Sequence, residues 1–290
     1  MAHPAKKQAP ADSGPVLAYQ DDRFMQGHDA RALRILAEYL EPQARLHRAR
    51  VSNTVVFFGS ARLLPREDAQ QRLRELQAES GDGSSSAAAV EMKKALMAVE
   101  MSRYYEEARE LARLVSAWSL SLGRGKHFLV VCSGGGPGIM EAANRGAAEA
   151  GGLSIGFNIK LPLEQKPNPY VTPELNFLFK YFFMRKLWFA QPARALIVFP
   201  GGYGTMDEMW EFLTLVQTRK MGHPVLIMLY GSRYWKKVIN FEWLRETGTV
   251  TDEELKLIRF ADTPRDAFAM LKWSLRRNRA MREAFRRPFP

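Results

Sequence analysis

The stretch Ala195-Leu196-Ile197-Val198-Phe199-Pro200-Gly201-Gly202-Tyr203-Gly204-Thr205-Met206-Asp207-Glu208 decides the fold. Its opening apolar run predicts a strand covered on both faces. Pro200 and the glycines end that strand, and a helix is expected over residues 206–218. A second unit has the same form. A strand over residues 127–132 meets Ser133-Gly134-Gly135-Gly136-Pro137-Gly138, and a helix follows over 139–150.

Outward from these two units the pattern continues. Short apolar strands are expected at 54–58 (ending at Gly59-Ser60), 153–157, 175–179 and 225–229. Helices are expected at 29–46, 88–122, 182–191, 234–245, 252–258 and 264–285. Buried strands alternating with helices imply a doubly wound, Rossmann-like α/β fold with a mainly parallel sheet and helices on both faces. Helical extensions flank it at both ends. Residues 1–20 read as a flexible tail, 21–262 as one Rossmann-like domain, and 263–290 as a basic terminal helix. Residues 65–87 read as a polar surface insertion, with Gly81-Asp82-Gly83-Ser84-Ser85-Ser86 of linker composition.

Composition narrows the class. The chain has 290 residues, 46% of them hydrophobic. That excludes wholesale disorder, a collagen-like fibre and a disulfide scaffold. The single cysteine, Cys132, lies in an apolar strand and reads as a small core residue. No apolar run reaches the roughly 18 residues of a membrane span. Residues 1–15 lack the hydrophobic stretch of a signal peptide, so the cytoplasm is the expected compartment.

Lys and Arg number 42 against 31 Asp and Glu, a net charge of +11. Residues 272–290 hold seven basic side chains and one acidic. The surplus is therefore concentrated on the terminal segment. Trp273, Phe285 and Phe289 lie among these arginines, as a nucleic-acid surface would have them, but Phe268, Leu271 and Leu275 fall on one helical face and read as core, so nucleic acid is not the expected partner.

The two glycine loops hold the chemistry. A helix N-terminus offers unpaired backbone N–H groups and partial positive charge, and glycine lets an anion approach them. Ser133–Gly138 is neither a Walker A loop nor a clean dinucleotide fingerprint. The second loop adds a hydroxyl at Thr205 and carboxylates at Asp207 and Glu208. Asp207 reads as a dipole partner of the helix. Glu208, one turn in, can aim back over the loop. Upstream, Arg185-Lys186 interrupts the apolar helix Phe182-Phe183-Met184-Arg185-Lys186-Leu187-Trp188-Phe189. A guanidinium held there suits a phosphate or carboxylate.

These residues together resemble the LOG (Lonely Guy) family of phosphoribohydrolases, formerly labelled lysine decarboxylases. The resemblance rests on Pro200-Gly201-Gly202-Tyr203-Gly204-Thr205 with Glu208, on Arg185-Lys186 and on Ser133–Gly138 followed by Ile139-Met140-Glu141. Phe58-Gly59-Ser60 looks like the family's first-strand turn. The match runs over roughly residues 53–229 apart from the insertion. It implies hydrolysis of the N-glycosidic bond of a nucleoside 5′-monophosphate, AMP or an N6-substituted AMP, to free base and ribose 5-phosphate.

On that basis Glu208 and Arg185 are the catalytic candidates. Gly201, Gly202, Gly204, Thr205, Ser60, Gly134, Gly135, Gly136, Gly138 and Lys186 are candidates for substrate and phosphate binding. Phe183 and Met184 stand where short members carry a His-Glu pair, which implies a more apolar base pocket. The resemblance also implies a homodimer or a higher homo-oligomer.

No metal or cofactor is expected. The five histidines lack metal-ligand spacing, and no lysine sits in a recognisable pyridoxal phosphate setting. The alternative is a non-catalytic Rossmann-like protein that binds nucleotide or single-stranded DNA through the same loops.

Overall fold

The structure, a computed structural model, describes residues 15–79, 86–122, 128–162 and 166–277. The chain divides into two compact units, residues 1–41 and 42–290. The first unit contains a 3-10 turn (Ala18–Gln20), α1 (Asp22–Gln26) and the start of α2 (Arg31–Arg48). Within it, Arg34 donates to the carbonyls of Met25 and Gly27 at 2.6 and 2.7 Å and so ties α1 to α2. The division falls at residues 41/42, inside α2.

The second unit is built on β1 (Thr54–Phe58), α3 (Arg66–Glu79), α4 (Ser86–Met101), α5 (Arg103–Ser121), β2 (Val130–Ser133), α6 (Ile139–Glu149) and β3 (Ser154–Ile159). It continues with β4 (Asn176–Phe179), α7 (Phe182–Ala190), β5 (Ala193–Val198), α8 (Tyr203–Gln217) and β6 (Leu226–Tyr230). Last come α9 (Ser232–Val238), α10 (Phe241–Glu246), α11 (Asp252–Leu255), β7 (Ile258–Ala261) and α12 (Pro264–Arg277).

The strands form one seven-stranded sheet in the order β4-β3-β2-β1-β5-β6-β7. Every pairing is parallel. The expected doubly wound α/β architecture is present. A parallel sheet is covered on both faces, which is why β1, β2, β5 and β6 are buried along their whole length.

One face packs Val55, Phe57, Val131, Ala195 and Ile197 against Leu111 and Val115 of α5, Ala143 and Ala147 of α6, and Leu271 and Leu275 of α12. Toward the other face, Phe189 of α7 meets Phe58 and Phe157 edge-on, with ring centroids 4.7 and 5.2 Å apart.

Chain order reverses between β1 and β5. Neighbouring loops leave the carboxyl ends of the strands in opposite directions at such a point and open a crevice. Gly59-Ser60 after β1, Ser133–Gly138 after β2 and Pro200-Gly201-Gly202 after β5 all lie at that end of the sheet.

Several expectations change. Residues 66–79, read as a polar excursion, are the regular helix α3, with Ala69 fully buried; residues 80–85 lie outside the described residues. The expected helix over 88–122 is broken at Ser102, whose hydroxyl donates to the Val99 carbonyl at 2.7 Å and competes with the helical ladder. The helix over 234–245 is two helices. Ile239 is extended, and the Asn240 side chain accepts from the Trp243 N–H to cap α10.

Residues 252–258 are not all helical. A capping box between Thr251 and Glu254 starts α11, which ends at Leu255, and Ile258 opens β7 beside β6. This strand was missed because its short Ile-Arg-Phe-Ala run shows no buried repeat in sequence. The basic terminal helix is part of the domain over 264–277, where Ala267, Leu271 and Leu275 are buried in the core. Residues 278–290 and 1–14 lie outside the described residues. No helix among the described residues is long and apolar enough to cross a membrane.

Candidate functional site at the carboxyl ends of β1, β2 and β5

Three backbone hydrogen bonds bring the loops together. Ser60 N–H donates to the Pro200 carbonyl at 3.0 Å, and Ile139 N–H donates to the Ser60 carbonyl at 3.1 Å. Phe199 N–H donates to the Phe58 carbonyl at 2.7 Å. Ser60 thus joins both glycine loops through its backbone, while its hydroxyl accepts from the Arg62 N–H.

Glycine is required where these loops touch. Gly138 has φ +70, and a Cβ there would lie 2.3 Å from the Ser60 carbonyl oxygen. A Cβ on Gly201 would lie 2.1 Å from Thr205 Oγ1.

The second loop is tighter than the sequence implied. α8 begins at Tyr203, with Gly202 as its cap, so Gly204 and Thr205 belong to the first helical turn. The N–H groups of Thr205 and Met206 already donate to the Gly202 carbonyl. Those of Tyr203 and Gly204, ahead of the first helical hydrogen bond, point out of the helix end. A Cβ at Gly202 or Gly204 would meet nothing within 4 Å. These two glycines face open space at a helix N-terminus, the arrangement that suits an anion. Thr205 is buried beneath them.

Glu208 lies one turn further on and is 1% exposed. Both of its carboxylate oxygens are buried without a hydrogen-bond partner. Arg185 Nη2 of α7 is 3.6 Å from Glu208 Oε1, an ion-pair separation longer than a hydrogen bond. The Arg185 guanidinium stacks over Phe182 and Phe189 at 5.1 and 5.7 Å, which fixes its plane.

Burial pushes the Glu208 carboxyl up to about 7, against the pull of Lys186 and Arg185 and with the help of Glu211 and Asp207. Burial also lowers Arg185 from its ordinary value, opposed by Glu208 and Asp207. Each group is desolvated further than its partner compensates.

Lys186, expected at the phosphate, is engaged with carboxylates. Its Nζ is 2.8 Å from Asp207, 2.7 Å from Glu211 and 3.9 Å from Glu208. Asp207, read as a dipole partner, is one arm of this cluster. Glu211, one turn after Asp207, is a member the sequence reading missed. Burial disfavours the Lys186 cation, but Asp207 and Glu211 outweigh it and hold the ammonium above its ordinary value. A Schiff-base lysine must give up its proton, so Lys186 does not fit a pyridoxal phosphate aldehyde. Among the described residues no cluster of His, Cys, Asp and Glu could hold a metal ion. Cys132 is buried and free, and burial pushes its thiol up, as a core residue requires.

Two further residues support the loops. Tyr234 of α9 donates its hydroxyl to the Gly201 carbonyl at 2.9 Å. Asn168 donates its side-chain N–H groups to the carbonyls of Gly135 and Gly136 at 3.1 and 3.0 Å. Neither has a sequence signal, because each acts on a loop about 33 residues distant. Gly134, Gly135, Gly136 and Gly138 are buried in the first loop, where the Gly135 N–H donates to Ser133 Oγ at 3.0 Å. In α7, Met184 is buried, while Phe183 is half exposed and packs on Tyr181 with centroids 5.5 Å apart.

Residues 140–271 match the model of the family described as "Possible lysine decarboxylase". Over that segment, a little under half of its length, the chain is similar to this family. The matched stretch contains α7, the second glycine loop, Arg185, Lys186 and Glu208; the first loop lies just ahead of it.

The chain is also similar to the "Probable cytokinin riboside 5′-monophosphate phosphoribohydrolase LOG6" of Arabidopsis thaliana. Identity is 27% over 143 residues, covering 49% of this chain and 71% of that protein. Among solved structures, the Moco carrier protein of Chlamydomonas reinhardtii aligns at 18% identity and a TM-score of 0.44, over 78% of this chain and 99% of that one. The molybdenum cofactor binding protein of Rippkaea orientalis aligns at 16% identity and a TM-score of 0.43, over 76% and 96%. The Rossmann-like architecture rests on the sheet order above.

Proposed function

We propose that the protein hydrolyses the N-glycosidic bond of a purine nucleoside 5′-monophosphate, AMP or an N6-substituted AMP, releasing the free base and ribose 5-phosphate. The observation that carries this reading is the Glu208 carboxylate. It is buried, without a hydrogen-bond partner, and one helical turn from a glycine loop built for an anion.

The 5′-phosphate is held by the α8 N-terminus at Gly202–Gly204 and by the first loop across the crevice. That places the ribose near Glu208. As the C1′–N bond breaks, positive charge develops on the ribose ring, and a desolvated carboxylate beside it stabilises that charge. Glu208 also takes the proton from the attacking water while the base leaves with the bond electrons and acquires a proton. A carboxyl pushed up to about 7 suits proton transfer near neutral pH. Arg185 orients Glu208 and the nucleotide, and Lys186 positions the carboxylates of α8.

A non-catalytic binder would use the same loops. It has no need of a buried carboxylate beside an incoming phosphate, where like charges oppose binding.

The homo-oligomer expected from the family also remains a proposal. It is supported by Phe182, Phe183 and Leu187 on α7 and Trp210 on α8, which are all exposed. Light scattering coupled to gel filtration reads it, with a monomer as the contrary result.

A base-release assay over AMP, GMP, CMP, IMP and isopentenyladenosine monophosphate tests the activity, with the unphosphorylated nucleosides alongside. Release from a purine monophosphate with little turnover of the nucleoside is expected. Equal turnover of adenosine contradicts the phosphate seat.

A further inference from the structure

We propose that Asn168 is a positioning residue that aims the first glycine loop at the nucleotide, a role that rests on the reading of the crevice as a nucleotide site. Asn168 lies in the segment between β3 and β4 and is 6% exposed. Its amide nitrogen donates to the carbonyls of Gly135 and Gly136 and to Asn144 Oδ1, the last at 2.9 Å. Its backbone N–H donates to the Gly135 carbonyl at 2.8 Å. Its side-chain oxygen accepts from the Tyr170 N–H at 3.1 Å, which fixes the amide plane.

Gly135 C=O therefore receives two donors from one residue. In a planar trans peptide the N–H points opposite to the C=O. The partner of the Gly135 carbonyl in its peptide is the Gly136 N–H, which has no acceptor among the described residues although Gly136 is buried. Holding that carbonyl turns the Gly136 N–H the other way, as a donor aimed away from Asn168.

The next peptide, Gly136–Pro137, has no N–H to offer, so its carbonyl can be tied down without removing a donor. Asn144 completes the support. It accepts from Ser133 Oγ at 2.7 Å, and the Gly135 N–H donates to that same Ser133 oxygen. On the outer side, a Cβ on Gly135 (φ +73) would lie 2.5 Å from Asn158 Oδ1, so the loop is confined there as well. Asn168 thus does for this loop what a rigid supporting shell does for any preorganised site.

The test compares wild type with Asn168→Ala and Asn168→Asp, the second keeping the shape while setting an oxygen against two carbonyls. Three quantities are read: the calorimetric Kd for AMP, the KM and kcat for base release, and amide hydrogen exchange of the peptide spanning residues 133–139. Expected are a Kd and KM raised about tenfold, about 1.4 kcal/mol, a kcat within about twofold, and faster exchange in that peptide. Asn168→Ser, which retains one donor, replaces the alanine variant if that one fails to fold.

Unchanged Kd, KM and local exchange, with only a lowered melting temperature, would overturn the proposal. If the wild type binds AMP but releases no base, the hydrolase reading fails, and the Kd and exchange data still decide the role of Asn168. If the wild type does not bind AMP, both fail.

Discussion

Arg185 Nη2 and Glu208 Oε1 face each other across 3.6 Å, one side chain 14% exposed and the other 1%. The gap is too long for a hydrogen bond, and burial dominates both groups. The carboxylate is held near a cation without being neutralised by it. Burial pushes it up from 4.5 to about 7, and its oxygens keep their lone pairs for a ligand.

A pH dependence follows. With Glu208 pushed up to about 7, kcat/KM for base release should rise about tenfold per pH unit below that value and level off above it. A rate that is flat from pH 5 to 8, or that falls as the pH rises, contradicts the assignment of the ionised carboxylate.

The same shift has a stability consequence of opposite sign. A carboxyl whose folded-state pKa is raised disfavours folding once the pH exceeds its unfolded value, and the penalty is complete above the folded value. From 4.5 to about 7, the cost is on the order of 3 kcal/mol. Glu208→Gln removes the charge, so it should melt higher than wild type at pH 8. The difference should vanish at pH 4. Equal melting temperatures at both pH values would mean that Glu208 is not strained.

Lys186 sets the level of that titration. Its ammonium is 3.9 Å from Glu208 and also holds Asp207 and Glu211. Lys186→Met removes the cation and leaves three acids to repel one another. The midpoint of the pH–rate profile should move upward. A midpoint that stays put, with only KM raised, would return Lys186 to the phosphate-binding role the sequence suggested.

The glycines of the second loop divide into two kinds. Gly201→Ala drives a Cβ to 2.1 Å from Thr205 Oγ1 and should lower the melting temperature. Gly204 lies in the first turn of α8 with nothing within 4 Å of a Cβ. Alanine there should leave stability equal or raise it by up to about 1 kcal/mol, while KM for the monophosphate rises. A folded Gly204→Ala with unchanged KM would remove this helix end from the phosphate seat.

The central strands and both glycine loops were legible in sequence because buried parallel strands are continuous apolar runs and glycines punctuate them. β1 spans residues 54–58 as read. β7 was not legible, since only the edge of β6 turns Ile258-Arg259-Phe260-Ala261 into a strand. The break at Ser102 follows from one side-chain hydrogen bond that competes with the helix.

At the site, Arg185, Lys186 and Glu208 stood out as charges in apolar or glycine-rich surroundings. Their division of labour did not, because it depends on which carboxylate each cation reaches across α7 and α8. Asn168 and Tyr234 were invisible for a related reason. Each is an ordinary loop or helix residue until the fold sets its donor against a glycine carbonyl.

The most direct measurement is a single-turnover experiment with AMP on wild type and Glu208→Gln, following free adenine and ribose 5-phosphate, with AMP affinity measured in parallel. The account predicts stoichiometric appearance of both products on the wild type. On the variant it predicts a rate lower by a factor of about 10² to 10³, with AMP bound at least as tightly. Undiminished base release by Glu208→Gln, or wild-type protein that binds AMP and returns it intact, would contradict it.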